Sequence, residues 1–461
     1  MTRLVVIGGG AAGMAAASRA KRLNKSMDVV VFEKTSWVSF ALCGIPYHVG
    51  CIVKRLNDLV YYTPEEFTKK RGIDLRLETE VTSIDLDTKT VYYKDLKTGR
   101  EDKLEFDYLL LATGARSKAP KIWPEINEAS NVFYIKHLDT AKEIRDYALK
   151  LRSGSRAVIV GAGYVGLEFA ETLTNIGLKV TLVEALDQVA PRTLDPDLAK
   201  QVEEELRSKG VNVVTGSPVK EFKITNGKAV SIVTDSGEIE GDLFIVGVGI
   251  EPNVDLAKQI GVKIGETGAI WTDEHMRTNI DFVYAVGDAV EHKDLVTGRM
   301  VWRPFAQIAN KQGYVAGSNI AGREAIFPGS VGTSTFKTFD IVVARTGLSK
   351  AEAERLGYNV VEATLNARTK AHYIPGAAPL TLRIIADADT GKLLGAQGVG
   401  KSETVLWRIN VIASLLTTGG TVWDLFASDI GYAPPLAPVW DSLIVAARLL
   451  MRHLGEKPKK H

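Results

Sequence analysis

Two glycine loops, each set between a strand and a helix, constrain this chain more than any other feature. The first, Gly8-Gly9-Gly10-Ala11-Ala12-Gly13, follows the apolar strand Arg3–Ile7 and precedes an expected helix over 14–23 and strand over 29–32, ending at Glu33. A dinucleotide turn needs this order. Its first glycine, Gly8, makes the tight turn, Gly10 lets the backbone approach a pyrophosphate, and Gly13 lets the helix pack on the strand. Glu33, 20 residues beyond Gly13, is placed to accept hydrogen bonds from ribose hydroxyls. The pattern then restarts with a strand over 157–160, Gly161-Ala162-Gly163-Tyr164-Val165-Gly166, a helix over 167–176, and the strand Lys179–Val183. Glu184 lies 18 residues beyond Gly166, again the spacing of a ribose ligand. Two such loops imply two nucleotides on one chain.

With 461 residues the chain exceeds a single core and is expected to form two to four domains. A net charge of +2 gives no case for nucleic acid or an anionic membrane surface. No apolar run approaches the ~18 residues of a membrane span. Residues 1–17 are apolar, but three consecutive glycines interrupt them and no basic segment precedes them, so no signal peptide is expected. Two cysteines cannot form a disulfide framework, and no metal site is expected. These bounds point to a soluble, cytoplasmic, multidomain protein.

Between the loops lies SWVSFALCGIPYHVG, residues 36–50, with Cys43 followed by Gly44 and Pro46. Proline opens helices at their first turn, so Cys43 is expected just ahead of a helix start. Free N–H groups and the positive end of the macrodipole there would favour thiolate, the nucleophilic form. The plainer reading is a small buried hydrophobe. Farther on, an apolar strand enters Ala112-Thr113-Gly114, another enters Gly247-Val248-Gly249, and a third ends in Gly287-Asp288. Read locally, Asp288 is most simply a helix N-cap.

From about Pro328 no nucleotide motif occurs. Strands are expected within 333–348 and over 381–386, and helices over 350–356 and 404–416. The Pro-rich aromatic stretch 429–441, DIGYAPPLAPVWD, reads as an ordered loop that needs a partner surface, and 457–461 as a basic tail.

With these residues in place, the chain resembles the pyridine nucleotide–disulfide oxidoreductases over nearly its whole length. That family shows, in this order, an FAD fingerprint, an Ala-Thr-Gly turn, an NAD(P)H fingerprint, a late Gly-Asp flavin motif and a C-terminal dimerisation domain. The resemblance implies an α/β fold of two Rossmann-like, doubly wound nucleotide domains plus a C-terminal α+β dimerisation domain. The expected division is FAD domain 1–119 and 244–327, NAD(P)H domain 120–243, dimerisation domain 328–455, and tail 456–461. It makes Asp288 a flavin contact instead of a cap. Gly8, Gly10, Ala12, Gly13, Glu33, Lys34, Ala112, Thr113, Gly114, Gly287 and Asp288 are then the FAD side. Gly161, Gly163, Tyr164, Val165, Gly166, Glu168, Glu184 and Gly249 are the nicotinamide side, with Glu168 a nicotinamide contact and Tyr164 a ring that moves aside for it.

Dithiol members of the family use C-x4-C; here His48 stands at that offset and Cys51 lies eight positions on. The chain therefore resembles the single-cysteine branch of peroxidases, NADH oxidases and reductases of CoA disulfide, CoA persulfide or polysulfide. Peroxidases and water-forming oxidases carry a His where this chain has Ala11, which argues against peroxide chemistry. Ser39-Phe40 and the run Cys43 to Tyr47 match the CoA-linked members. Arg19, Arg22 and Arg71 match positions that meet CoA phosphates, and Tyr373 and Tyr432 match tyrosines that enter the active site from the partner subunit. Leu42 and Trp440 depart from the polar or basic CoA contacts of some relatives. The short form, without a rhodanese-like domain, is expected.

The implied activity is NAD(P)H-dependent reduction of CoA disulfide, CoA persulfide or polysulfide through FAD and Cys43, the latter resting as a mixed disulfide with coenzyme A. Tyr432 or Tyr373 would serve the leaving thiolate. NADH is expected over NADPH, because Glu184 would repel a 2′-phosphate, although Arg192 could soften that preference. The expected assembly is a homodimer, with a tetramer left open. The alternatives are a peroxide-forming NADH oxidase and a flavin-bearing NADH sensor or scaffold.

Overall fold

The computed structural model describes residues 2–135 and 137–456; the tail expected at 456–461 lies outside them, save Glu456. Five parallel strands form the first sheet in the order Val283–Ala285, Tyr108–Leu111, Arg3–Ile7, Asp28–Phe32, Asp74–Arg76. Leu4 to Ile7 are all buried, as in a sheet covered on both faces. Side chains alternate between those faces. Leu4 and Val6 pack on the helices Ala11–Leu23 and Ala306–Ile320, while Val5 and Ile7 pack towards Val81, Ile84 and Val91 of an antiparallel three-stranded sheet.

The second nucleotide domain repeats the plan. Its parallel strands run in the order Asn212–Val214, Lys179–Val183, Arg156–Val160, Leu243–Val246, Val132–Phe133, with a three-stranded antiparallel sheet beside them. One boundary needs correction. Leu243–Val246 pairs with Arg156–Val160, so a domain limit at 243/244 would cut through a strand of the second sheet. The crossing back to the first domain falls after it, where Ile250–Pro252 pairs antiparallel with Ala115–Ser117 and zips the two connecting segments together.

The C-terminal sheet is antiparallel, ordered Ser334–Thr338, Ile341–Gly347, Leu393–Gly400, Pro379–Asp387, Val360–Arg368. Its central strands are buried throughout and do not alternate with solvent. One face carries Val342 and Ala344 against the helices Thr404–Thr417 and Ser442–Leu454; the other carries Phe336, Val343 and Val399 into the core of the second nucleotide domain. Polar clamps hold that junction: Arg383 bonds Asp195 and Asp197, Gln397 bonds Asp195, and Glu171 accepts from the Phe339 N–H. Among the described residues no helix is long and apolar enough to cross a membrane.

The first glycine-loop helix is held by glycines on its neighbour. A Cβ at Gly313 would lie 2.3 Å from the Ala12 carbonyl oxygen, and one at Gly317 would lie 2.4 Å from that of Ala16. Both clashes are with backbone, which cannot give way cheaply. Gly313→Ala should therefore lower stability by about 1–3 kcal/mol and reduce FAD retention. Urea unfolding and the flavin-to-protein absorbance ratio check both.

Candidate active site

The glycines of the two loops divide the work in the same way. Gly8 has φ +112° and Gly161 φ +104°, a backbone region that disfavours side chains, and a Cβ on either would strike the next strand's end at Ala112 O or Gly247 O. Gly13 and Gly166 leave no room, a Cβ there lying 2.0 and 1.9 Å from the carbonyl oxygens of Gly8 and Gly161. Gly10 and Gly163 differ from both: nothing lies within 4 Å of where their Cβ would be. That open space, at the start of a helix, is the cradle a pyrophosphate fits. Glu33 accepts from the Gly9 N–H at 2.7 Å and from the Thr35 N–H and hydroxyl at 2.8 Å. Glu184 likewise accepts from Ala162 N–H at 2.7 Å and Leu186 N–H at 3.0 Å. Both carboxylates thus brace their own loops; further lone pairs remain for ribose hydroxyls. Lys34 is exposed beside Glu33, and Val165 is exposed at the second loop.

The remaining turns close on the first loop. Thr113 Oγ1 donates to Asn253 O at 2.7 Å and Asn253 Nδ2 donates to Thr113 O at 2.8 Å, which locks the Ala-Thr-Gly turn to the segment after Gly249. Gly114 and Gly249 both have positive φ and open space at Cβ. Gly287, φ +79°, donates its N–H to Gln312 Oε1 and sits against Ala12. Asp288 lies in the short helical turn Gly287–Ala289 and its side chain caps nothing, so the N-cap reading is replaced. Burial pushes its carboxyl up to about 6.

Cys43 lies in the single turn Leu42–Gly44, directly ahead of the helix Ile45–Val49. The stretch is pinned to the first loop by Ser39, whose N–H donates to Gly9 O at 3.0 Å from a left-handed conformation, φ +49°. Phe40 bridges to Val60, and a Cβ on Gly44 would meet Leu59 at 2.2 Å. The thiol reaches solvent although protein surrounds it on most sides. The expected lowering of its pKa is not found. Burial pushes the Cys43 thiol up, the carboxylates of Glu168 and Asp288 add to this, and a backbone hydrogen bond opposes it. A helix of five residues has little macrodipole to set against two carboxylates. His48, at the offset of the second dithiol cysteine, is buried with Nδ1 2.9 Å from Val53 O and near Arg145. Burial lowers its pKa, so it stays neutral. Cys51 lies past the end of this helix, exposed.

Glu168 comes from the helix Tyr164–Asn175 of the second domain and accepts a hydrogen bond from Tyr47 Oη at 3.2 Å. Burial pushes Glu168 up to about 7; the Tyr47 bond opposes this and Glu171 adds to it. One turn earlier, Tyr164 bonds Ser334 Oγ at 2.8 Å and packs on Phe336 of the dimerisation domain.

Basic residues gather on the outer part of the first helix. Arg19 donates to Ser318 Oγ at 2.9 Å with its guanidinium 4.1 Å from the Tyr314 ring centroid. Arg71 donates to Ser18 Oγ at 2.9 Å and stacks over Tyr62 and Phe67, and Arg22 is exposed. Tyr373 and Tyr432 are exposed, and the neighbouring Tyr373 phenol raises the Tyr432 pKa. Their loops are tied by Ala371 N–H to Pro434 O at 3.2 Å. Leu42 and Trp440 are exposed. Tyr47, Asn253 and Gln312 went unassigned in the sequence; only Tyr47 left a signal there, its place in the run Cys43 to Tyr47. Among the described residues no cluster of three or more His, Cys, Asp or Glu could hold a metal ion.

The raised Glu168 carboxyl has a consequence for stability. Between its ordinary 4.5 and about 7 the folded chain holds a proton that the unfolded chain has lost. Its contribution is fully present below 4.5 and is lost as pH rises through about 7. The drop in urea midpoint from pH 5 to pH 8, at constant flavin content, should be smaller in Glu168→Gln than in the parent.

Comparison with known proteins identifies relatives over nearly the whole chain. A 46% identical relative, the CoA-dependent NAD(P)H sulfur oxidoreductase of Pyrococcus furiosus, aligns over 97% of this chain and 99% of its own. An NADH oxidase of Methanocaldococcus jannaschii is 36% identical over 99% of this chain and 100% of its own. The solved NAD-dependent persulfide reductase from A. fulgidus superposes with a TM-score of 0.93 at 40% identity, covering 98% of this chain and 83% of that one. Residues 2–313 match the family described as pyridine nucleotide-disulphide oxidoreductase and residues 333–443 match its dimerisation domain, and the chain belongs to that family.

Proposed function

We propose that the protein is a flavoprotein that uses NADH to reduce a CoA-linked sulfur substrate (CoA disulfide, CoA persulfide or polysulfide) through Cys43. The observation that carries this reading is a solitary, accessible cysteine between two nucleotide cradles, with buried His48 where a second redox thiol would stand. Similarity to the CoA-dependent Pyrococcus enzyme supports the substrate class.

The first loop, with Ala12, Ala112, Thr113, Gly114 and Asp288, would hold FAD; the second, with Glu168 and Glu184, would hold the nicotinamide nucleotide. FAD, when bound, relays the electron pair of NADH to the sulfur centre. Cys43 as thiolate attacks the sulfur–sulfur bond of the substrate, keeps one half as a mixed disulfide and releases the other as thiol or thiolate. Reduction of that mixed disulfide returns the Cys43 thiolate and frees the CoA half. Arg19, Arg22 and Arg71 would meet CoA phosphates, with Ser39 and Phe40 beside the sulfur. Tyr373 and Tyr432 would donate to the departing thiolate; a phenol can do so while uncharged. Both lie in the dimerisation domain and are exposed in the single chain, which supports a homodimer whose sites are shared. A soluble cytoplasmic location accords with the absence of a membrane-spanning helix among the described residues.

The NADH oxidase reading is kept as a second one, because a relative so named matches end to end. The two are separated by Cys43→Ser. A serine hydroxyl neither ionises near neutral pH nor forms a disulfide, so anaerobic NADH oxidation with CoA disulfide or polysulfide should vanish. Flavin bleaching by NADH and part of the aerobic oxygen consumption should survive, and Cys51→Ser should change little. Anaerobic activity retained in Cys43→Ser would hand the function to the oxidase reading. A further expectation concerns the coenzyme. Glu184 faces the ribose end of the second cradle, so kcat/KM should favour NADH over NADPH by about tenfold or more, or about 1.4 kcal/mol. Parity would mean that Arg192 controls the site.

A further inference from the structure

The bond between Tyr47 and Glu168 joins the helix that follows the sulfur to the helix that opens the second nucleotide cradle, 121 residues away. Tyr47 lies four residues beyond Cys43, in the helix Ile45–Val49 that begins directly after the turn Leu42–Gly44 carrying the sulfur. Among the described residues Tyr47 is the only hydrogen-bond partner of Glu168, which has no ion pair. Glu168 in turn is the largest single charge bearing on the Cys43 thiol. Building on the reading of Cys43 as the reactive sulfur, we infer that Tyr47 is a positioning residue that fixes the Glu168 carboxyl between the nicotinamide cradle and Cys43, so that gain or loss of charge on Glu168 is felt at the sulfur.

The surroundings leave few competing groups. Glu171 lies one turn along the Glu168 helix, its charge partly offset by Lys337 at 3.6 Å. Asp288 approaches Cys43 from the first sheet, and Cys43 and Tyr47 bear on each other. Among the described residues no cation is one of the causes acting on the ionisation of Cys43, Tyr47 or Glu168. A proton on Glu168 therefore removes the larger of the two carboxylate charges that act on the thiol and eases its ionisation; its loss makes thiolate harder to form. Burial and the neighbouring carboxylates hold the Tyr47 phenol itself protonated, so it acts as a donor throughout.

The test reads thiolate formation directly. FAD-loaded protein, freed of any mixed disulfide by dithiothreitol and desalted, is alkylated with iodoacetamide across pH 5.5–9.5, and Cys43 is followed apart from Cys51 by peptide mass spectrometry. Tyr47→Phe deletes the bond that stabilises the Glu168 carboxylate, so Glu168 keeps its proton to higher pH. The Cys43 midpoint should fall, with alkylation about threefold faster at pH 7.5, the effect of a midpoint displaced by about half a pH unit. Glu168→Gln should lower the midpoint further, and the double variant should match Glu168→Gln alone, because Tyr47 then has no charge to act through. An unmoved midpoint in Tyr47→Phe, or additive shifts in the double variant, overturns the inference; simple loosening would raise rates at every pH without moving the midpoint. Should Tyr47→Phe fail to retain FAD, an unmoved midpoint in Glu168→Gln overturns it equally. Alkylation needs no CoA substrate, so its outcome is independent of whether CoA disulfide is reduced.

Discussion

The arrangement of the site depends on where one five-residue helix is buried. Ile45–Val49 is far too short to persist alone. Its Ile45 and Val49 are wholly buried, and they join the core of the second nucleotide domain with Leu138, Ile144, Phe169 and Leu173, although the chain reaches them from the first. Gly50 ends the helix against Thr172, where a Cβ would lie 2.5 Å from the threonine side chain. At its other end Ser39 holds the stretch to the first glycine loop through Gly9. The sulfur is thus referenced to both cradles at once. A change in either domain is transmitted to it through packed side chains that have little room to yield.

That placement also decides the electrostatics. Each nucleotide domain contributes one carboxyl group towards Cys43, Asp288 from the first and Glu168 from the second. Both are themselves pushed up by burial, to about 6 and about 7. Near neutral pH the pocket can therefore shed negative charge by taking up protons, which is cheaper than holding unpaired buried carboxylates. A thiol in such surroundings is kept protonated until those charges change. Reactivity at this sulfur is a property of the assembled site and owes little to the helix that follows it.

The two exposed tyrosines of the dimerisation domain are held in place by a second buried anchor. Arg408, with no exposed surface, pairs with Asp441 at 2.7 Å and also donates to Thr369 O at 3.3 Å. Asp441 caps the helix Ser442–Leu454 through the Leu443 N–H. One guanidinium thereby holds the roots of both loops, one carrying Tyr373 and the other Tyr432. A buried pair of this kind is better regarded as a device for fixing geometry than as a source of stability, since desolvation offsets much of its attraction.

The nucleotide cradles were legible in the sequence because each glycine there answers a local demand. Gly8 and Gly161 need positive φ, Gly13 and Gly166 need close helix packing, and Gly10 and Gly163 leave open space, all within six residues. The parallel strands were legible too, as unbroken apolar runs. The roles proposed for Arg19, Arg71, Tyr373 and Tyr432 rest on family resemblance alone, because nothing in their immediate neighbours marks them. Other matters only the tertiary structure decided. Leu243–Val246 joined the second sheet because pairing with Arg156–Val160, 86 residues earlier in register, outweighs its place beside the return to the first domain. The charge state of Cys43 went against the reading from its helix start, because burial, Glu168 and Asp288 act on it from segments remote in the chain. Local backbone requirements are written into adjacent residues, whereas dielectric surroundings and charge neighbours exist only once distant segments have packed.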